Sequence, residues 1–284
     1  MRTVTDIYVE LAERIAARLG RPRVRALHLP RQRAQPSIEA EFCALELEDG
    51  AFGFSFLLLG DTERLLRARY GAADLAGTDA AALARGYAES DPAAKALGFA
   101  AINALSPLLF TRAGWNPRPA EDSLGELAPA GDEHIGMIGL FRPLLKYVRT
   151  SGARLTVLEL RQELAGEHDG YRVTTDPREL VSCEKVLSTC TVLLNDTLDG
   201  LLAACSGASR FAIVGPTAGC VPDPLFARGV HSVNGRRVSD AQGFREAIVN
   251  GDKWGSFAYK YAIAKDDYPG IEQLLRQADR AGGR

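Results

Sequence analysis

The stretch Glu133-His134-Ile135-Gly136-Met137-Ile138-Gly139-Leu140-Phe141-Arg142-Pro143 constrains the fold more than any other part of the chain. His134 to Ile138 reads as a short buried strand, Gly136 and Gly139 mark a turn, and a helix over 141–149 opens with Pro143 in its first turn. Arg154 to Leu160 then reads as a second strand. A strand, a helix and a strand joined this closely must pair in parallel, and the turn aims backbone N–H groups at whatever lies beyond the strand end. The rhythm continues with strands expected at 191–194, 211–214 and 230–233. Helices are expected through Leu198, Leu201 and Leu202 and over 241–249. The C-terminal part is therefore α/β, a parallel sheet with helices on its faces.

The N-terminal part has a different pattern. Tyr8, Leu11, Ala12, Ile15 and Leu19 recur at helical spacing over 5–19, and Gly20 and Pro22 end that helix. Apolar runs at 24–29, 42–47 and 51–59 follow, the last two separated by Asp49-Gly50, a strong hairpin signal. Helices are expected after Asp61, over 79–87 and over 92–109, so this part is α+β. Between 111 and 132, Gly114, Pro117, Pro119, Gly125, Pro129 and Gly131 punctuate a stretch without either period, which reads as a crossing between domains. The expected division is 1–118 and 119–284.

Composition narrows the function classes. At 46% hydrophobic and 25% charged, the chain has the balance of a folded protein, and its formal net charge of −2 supplies no basic field for a nucleic acid. The N-terminus alternates charged and apolar residues and no apolar run suggests a membrane span, so a cytoplasmic, unprocessed protein is expected. No G-x-S-x-G, Walker-type or H-E-x-x-H motif occurs. The five cysteines are an odd set with irregular spacing, which points to reduced thiols and not to a disulfide framework or a zinc ribbon. Self-association into a homo-oligomer stays open.

In an open α/β sheet, ligands bind beyond the carboxyl ends of the strands. That rule selects three turns. The first holds Gly136 and Gly139, with Glu159 twenty residues on, where a carboxylate can meet a ribose-like diol; alternatively the glycines allow close packing and Glu159 is solvated. The second is Leu194-Asn195-Asp196-Thr197, whose polar side chains either cap the next helix or bind an anion at its N-terminus. The third is Gly215-Pro216-Thr217, a tight path at a strand end with a hydroxyl at the rim. Asn103 interrupts the apolar helix 97–105 and either faces the other domain or satisfies backbone near Pro107. Cys220, near His231, is either a soft metal ligand or a small buried hydrophobe.

Several words together resemble a two-domain family associated with heavy-metal chelation. They are Leu97-Gly98-Phe99-Ala100-Ala101-Ile102-Asn103-Ala104-Leu105, Ile135-Gly136-Met137-Ile138-Gly139-Leu140-Phe141-Arg142-Pro143-Leu144 and Asn195-Asp196-Thr197-Leu198. Val214-Gly215-Pro216-Thr217 and Pro224-Leu225-Phe226-Ala227-Arg228-Gly229-Val230 complete the set. The resemblance implies an N-terminal domain like the small N-terminal domain of enolases and a Rossmann-like C-terminal domain, with an active site in the cleft between them. It carries Asn103, Gly136, Gly139, Asn195, Thr197, Gly215, Pro216 and Thr217 into that cleft. This sequence departs from the family at Cys190-Thr191-Val192-Leu193-Leu194, where a Gly-Thr-rich strand end is usual. Ala218-Gly219-Cys220 likewise replaces a usual Thr-Pro.

The leading expectation is a protein that holds a small polar or anionic metabolite between its domains and acts in transition-metal homeostasis, through a pterin-like or other chelating molecule. Two alternatives stand beside it. One is an enzyme using a nucleotide-type cofactor such as S-adenosylmethionine, with Glu159 on the ribose. The other is a non-catalytic sensor or carrier that binds metal directly through Cys220.

Overall fold

The computed structural model describes residues 2–32, 41–120, 124 and 127–282, without the side chains of Pro143 and Leu144. Residues 121–123, 125 and 126 of the expected crossing lie outside the described residues. The chain begins with α1 (Val4–Arg18), whose Thr3 and Asp6 form a reciprocal capping box. Three antiparallel strands follow, β1 (Val24–His28), β2 (Phe42–Leu47) and β3 (Phe52–Phe56), with the Asp49-Gly50 hairpin between the last two. Helices α2 (Thr62–Arg69), α3 (Ala80–Ala84) and α4 (Pro92–Arg112) complete the smaller α+β part.

Helix α4 opens where expected, with the Asp91 carboxylate accepting from Ala94 N at 2.8 Å. It is long and apolar enough to cross a membrane, yet most of it is buried inside this protein. The reason is close packing on β3: a Cβ added at Gly53 would lie 2.1 Å from the Ala100 carbonyl oxygen. Only a residue without a side chain lets strand and helix meet so closely.

The larger part is one nine-stranded sheet. Its strands are β4 (Arg118–Pro119), β5 (His134–Ile138), β6 (Arg154–Leu158), β7 (Gly166–His168), β8 (Tyr171–Thr174), β9 (Lys185–Thr189), β10 (Arg210–Val214), β11 (Ser232–Val238) and β12 (Ala258–Ala264). The spatial order is β4-β12-β11-β10-β9-β5-β6-β8-β7, with the six strands from β11 to β8 mutually parallel. Taken in chain order, those six lie third-second-first-fourth-fifth-sixth, the doubly wound Rossmann arrangement, and the order reverses between β5 and β9. Helices α5 (Arg142–Ser151), α6 (Leu198–Ala204), α7 (Asp223–Phe226), α8 (Ala241–Asn250) and α9 (Ile271–Gly282) accompany the strands.

Two sequence expectations are corrected. The strand expected at 191–194 is β9, at 185–189, and Cys190 to Leu193 instead form a short 3₁₀ turn after it. The strand expected at 230–233 starts at Ser232 and runs to Val238, paired along its whole length with β12. One contiguous cluster of buried apolar side chains runs from Val4 through α4 and β10 to Ala278, joining the two parts. A second cluster, including Ile135, Met137, Val148, Leu155 and Val157, fills the space under α5.

Candidate functional site

The reversal between β5 and β9 leaves a crevice that neither neighbouring crossover covers. It opens into a cleft of about 1220 Å³, floored by the turns at Gly139, Glu159, Thr189 and Gly215. The N-terminal sheet supplies the roof through Phe42, Phe56, Leu58 and Leu59. The cleft is thus walled by both parts of the chain.

Two glycines shape the floor. Gly139 has φ of +83° and an added Cβ would lie 3.2 Å from the Thr189 Cγ2; Gly215 has φ of +134° and would drive a Cβ to 2.4 Å from the Cys190 sulfur. Both positions demand glycine for conformation as well as for space. Asn195 and Thr197 line the cleft too, joined by a hydrogen bond of 2.6 Å from the Thr197 hydroxyl to Asn195 Oδ1. Between them Asp196 takes a left-handed conformation, φ +57°, held by a 2.6 Å ion pair to Lys95 of α4. The polar turn therefore organises its own backbone and ties α6 to α4.

Glu159 sits at the end of β6 against the cleft, as the sequence spacing implied. Its environment differs from that of a diol acceptor. One carboxylate oxygen accepts from Leu160 N at 3.0 Å and Arg161 N at 3.3 Å, the other from Leu140 N at 3.2 Å and the Arg161 guanidinium at 3.3 Å. Burial alone would raise its pKa; the Arg161 and backbone donors outweigh burial and hold it below the ordinary range. A carboxylate offers about four acceptor positions, so four donors leave little for a ribose. Glu159 instead pins the Gly139-Leu140 turn to β6.

Four other expected site residues lie behind the cleft wall. Gly136 faces Cys183 and Val186, where an added Cβ would meet both at 3.2 Å, so its smallness serves strand packing. Asn103 is buried in α4, and its side-chain amide donates to the Phe54 carbonyl at 2.7 Å and the Thr217 carbonyl at 2.8 Å. Thr217, expected at the rim, is fully buried instead, because the turn after Gly215 folds inward onto α4. Cys220 is also fully buried; its thiol donates to the Tyr8 hydroxyl at 3.1 Å, which donates in turn to the Val221 carbonyl at 3.0 Å.

The roof residues were missed in the sequence. Their signal was present: the run Phe56-Leu57-Leu58-Leu59 breaks strand alternation at the point where β3 ends.

Two family models, both described as "putative heavy-metal chelation", match residues 37–106 and 125–265. The chain belongs to that family. Two solved structures of the same family, both of proteins with unknown function, resemble it along nearly their whole length. The one from Pyrococcus horikoshii is 19% identical, with a TM-score of 0.66 over 92% of this chain and all of that one. The one from Desulfitobacterium hafniense is 19% identical, with a TM-score of 0.61 over 93% of this chain and all of that one. No curated protein matches the sequence. At this identity the two structures share the fold.

The description of the chelation family raises the question of a metal centre. Among the described residues, no group of three or more His, Cys, Asp or Glu side chains is placed to hold an ion. All five cysteines are buried. Burial pushes the thiols of Cys43, Cys183 and Cys220 up to about 12 and those of Cys190 and Cys205 up to about 11. A metal site needs several ligating side chains converging on one point, and among the described residues none of these thiols belongs to such a group. The residues around Cys220 do not fit a metal, which corrects the expectation of a direct ligand there.

Proposed function

We propose that this member of the chelation family binds a small organic molecule in the cleft and serves transition-metal homeostasis through that molecule, by making, modifying or carrying a chelator. The observation that carries the reading is the cleft itself, which straddles the reversal point of the sheet and is roofed by the N-terminal strands. The donor chemistry favours the same reading. With no group of three metal-ligating side chains among the described residues, a metal would be held by the organic ligand.

The doubly wound strand order favours a second reading, a nucleotide-type cofactor such as S-adenosylmethionine across the β5–β9 crevice. In that case the ribose would be held by groups other than Glu159, whose oxygens are already occupied.

Gly200 of α6 lines the cleft, and a Cβ added there meets nothing within 4 Å. Gly200→Trp should therefore put a bulky ring into the cleft and obstruct it without disturbing the fold. Native mass spectrometry of protein taken directly from cells is expected to show an organic mass on the wild type that is lost in Gly200→Trp. An unchanged bound mass in the folded variant would count against the cleft as the binding site.

A further inference from the structure

We infer that the β11–β12 end of the cleft is an oxyanion site, in which Arg236 and Lys260 together receive a phosphate or carboxylate group of the bound molecule; this rests on the cleft being the binding site. Both side chains line the cleft. Strand β10 ends at Val214, opposite Asn234, and β11 continues past that level to Val238 with β12 paired beside it. This antiparallel ribbon therefore rises above the carboxyl edge of the parallel sheet as a side wall. It stands next to the Gly215 turn, whose N–H donates to the Asn234 carbonyl at 3.0 Å. On the ribbon Arg236 and Lys260 are direct cross-strand partners. Such partners share one face, with Cβ atoms about 5 Å apart.

Like charges placed directly opposite each other repel and weaken a strand pair. An oxyanion between them converts that repulsion into charge-assisted hydrogen bonds. The arginine is also held in place. Its Nη1 donates to the Ala258 carbonyl at 3.1 Å, and its guanidinium carbon lies 5.6 Å from the centre of the Trp254 ring. Trp254 is buried and stacks on Phe54 of β3 at 5.0 Å and 14°. The cation thus stands on a rigid platform at the seam between the two parts of the chain, arranged before a ligand arrives. Of the acidic residues described along the cleft, two are engaged with other cations. Glu159 is bound to Arg161 after β6, four strand spacings or roughly 19 Å from β11; Asp196 is paired with Lys95. The third, Glu41, precedes β2 in the roof, where burial raises its pKa and favours the neutral form. Arg142 and Arg161 belong to the turns after β5 and β6, on the far side of the reversal, so neither shares this wall. The ligand class assigned is a molecule with an acidic oxygen group, lying with that group toward β11 and β12 and its remainder toward the Gly139 turn.

The probe is inorganic phosphate, titrated calorimetrically into the full chain at constant ionic strength and about pH 8, where it is largely a dianion; acetate is titrated in parallel. Wild-type protein is expected to bind at least one of the two anions saturably, at one per chain. Tighter binding of phosphate assigns a phosphate group to the ligand, and tighter binding of acetate a carboxylate. Arg236→Gln and Lys260→Gln should each weaken the preferred anion about tenfold, the effect of removing one charge-assisted contact. Arg236→Lys, which keeps the charge, should retain more affinity than Arg236→Gln. Arg276→Gln, at an exposed cation of α9 outside the cleft, should bind as wild type does. Thermal midpoints within a degree or two of wild type would show that the variants remain folded. Absence of saturable binding of either anion, unchanged affinity in Arg236→Gln or Lys260→Gln, or an equal loss in Arg276→Gln would overturn the site. Native mass spectrometry of Gly200→Trp separates the two claims. If that variant loses the cellular ligand while wild type binds neither anion, the oxyanion site alone fails; if it keeps the ligand, the cleft fails as the site.

Discussion

The Asn103 side-chain amide in α4 donates to the Thr217 carbonyl at 2.8 Å while donating to the Phe54 carbonyl at 2.7 Å. One carboxamide thus joins the strand that leads into the cleft roof to the turn that forms part of its floor. These residues are far apart in the chain, and Asn103 is 1% exposed, so water cannot replace the two bonds cheaply. The role of Asn103 is to hold the two walls of the cleft at a fixed spacing.

Asn103→Ala should therefore cost stability. It strands two buried carbonyl oxygens, at about 1–3 kcal/mol each, so a loss of about 2–6 kcal/mol is expected by urea unfolding. A loss below about 0.5 kcal/mol would mean that the carbonyls find other donors.

A buried carboxylate makes a second tie. Glu46 of β2 has no exposed side-chain surface and accepts from Arg245 of α8 at 2.6 and 3.0 Å and from the His28 ring at 2.9 Å. Burial would raise its pKa, but the hydrogen bonds and charges of Arg245 and His28 hold it below the ordinary range. Its folded value thus lies under its unfolded value. The stabilisation is present above the unfolded carboxylate pKa and is lost as pH falls through the folded one. Glu46→Gln should cost about 2 kcal/mol at pH 7, less than for a fully buried pair because the Arg245 side chain is 39% exposed. The gap between variant and wild type in urea unfolding should narrow toward pH 3. A constant gap would assign the effect to packing.

Two histidines set the next limb of the pH profile. His134 accepts on Nδ1 from the Arg154 guanidinium at 2.8 Å, and its Nε2 lies 2.8 Å from the Thr156 hydroxyl. Burial and then the Arg154 charge lower its pKa; His231 is lowered by burial and by Arg210 and Lys265. Both folded values lie below the unfolded one, so the unfolded chain takes up protons first. Stability should be full above about pH 6.5 and fall below it as the folded values are approached. Replacing both histidines by glutamine should flatten the loss measured between pH 7 and pH 5. An unchanged slope would place that loss elsewhere.

The cysteines offer a test of the metal chemistry. With all five buried and their thiols raised to about 11 or 12, native protein should react very slowly with a thiol-specific disulfide reagent, and all five should react once unfolded. Cys220→Ser should leave the transition-metal content of purified protein unchanged. Prompt labelling of a native thiol, or metal lost with Cys220, would contradict this assignment.

Much of the fold was legible in the sequence because the elements that specify it are strongly periodic. The strands β5, β6 and β10 are apolar runs bounded by turn residues, and the Asp49-Gly50 hairpin is a local signal. Strand β9 was misplaced since Lys185 to Thr189 is half polar, while the apolar run just after it is a 3₁₀ turn. Its buried position comes from neighbours on both sides, which no local pattern records. Of the candidate site, the turn residues Gly139, Glu159, Asn195, Thr197, Gly215 and Pro216 do reach the cleft. Asn103, Gly136, Thr217 and Cys220 could not be separated from them in sequence. Burial behind a wall and exposure in front of it depend on long-range packing, and the roof at Leu58 and Leu59 depends on how the N-terminal sheet docks.

The proposed function requires an organic molecule in the cleft beneath the N-terminal strands. Its most direct test is a crystal structure of protein purified from cells without dialysis. Density for a small organic molecule is expected between the Gly139 and Gly215 turns and Leu58. A cleft holding solvent alone, or a metal ion bound directly by side chains of this chain, would contradict it.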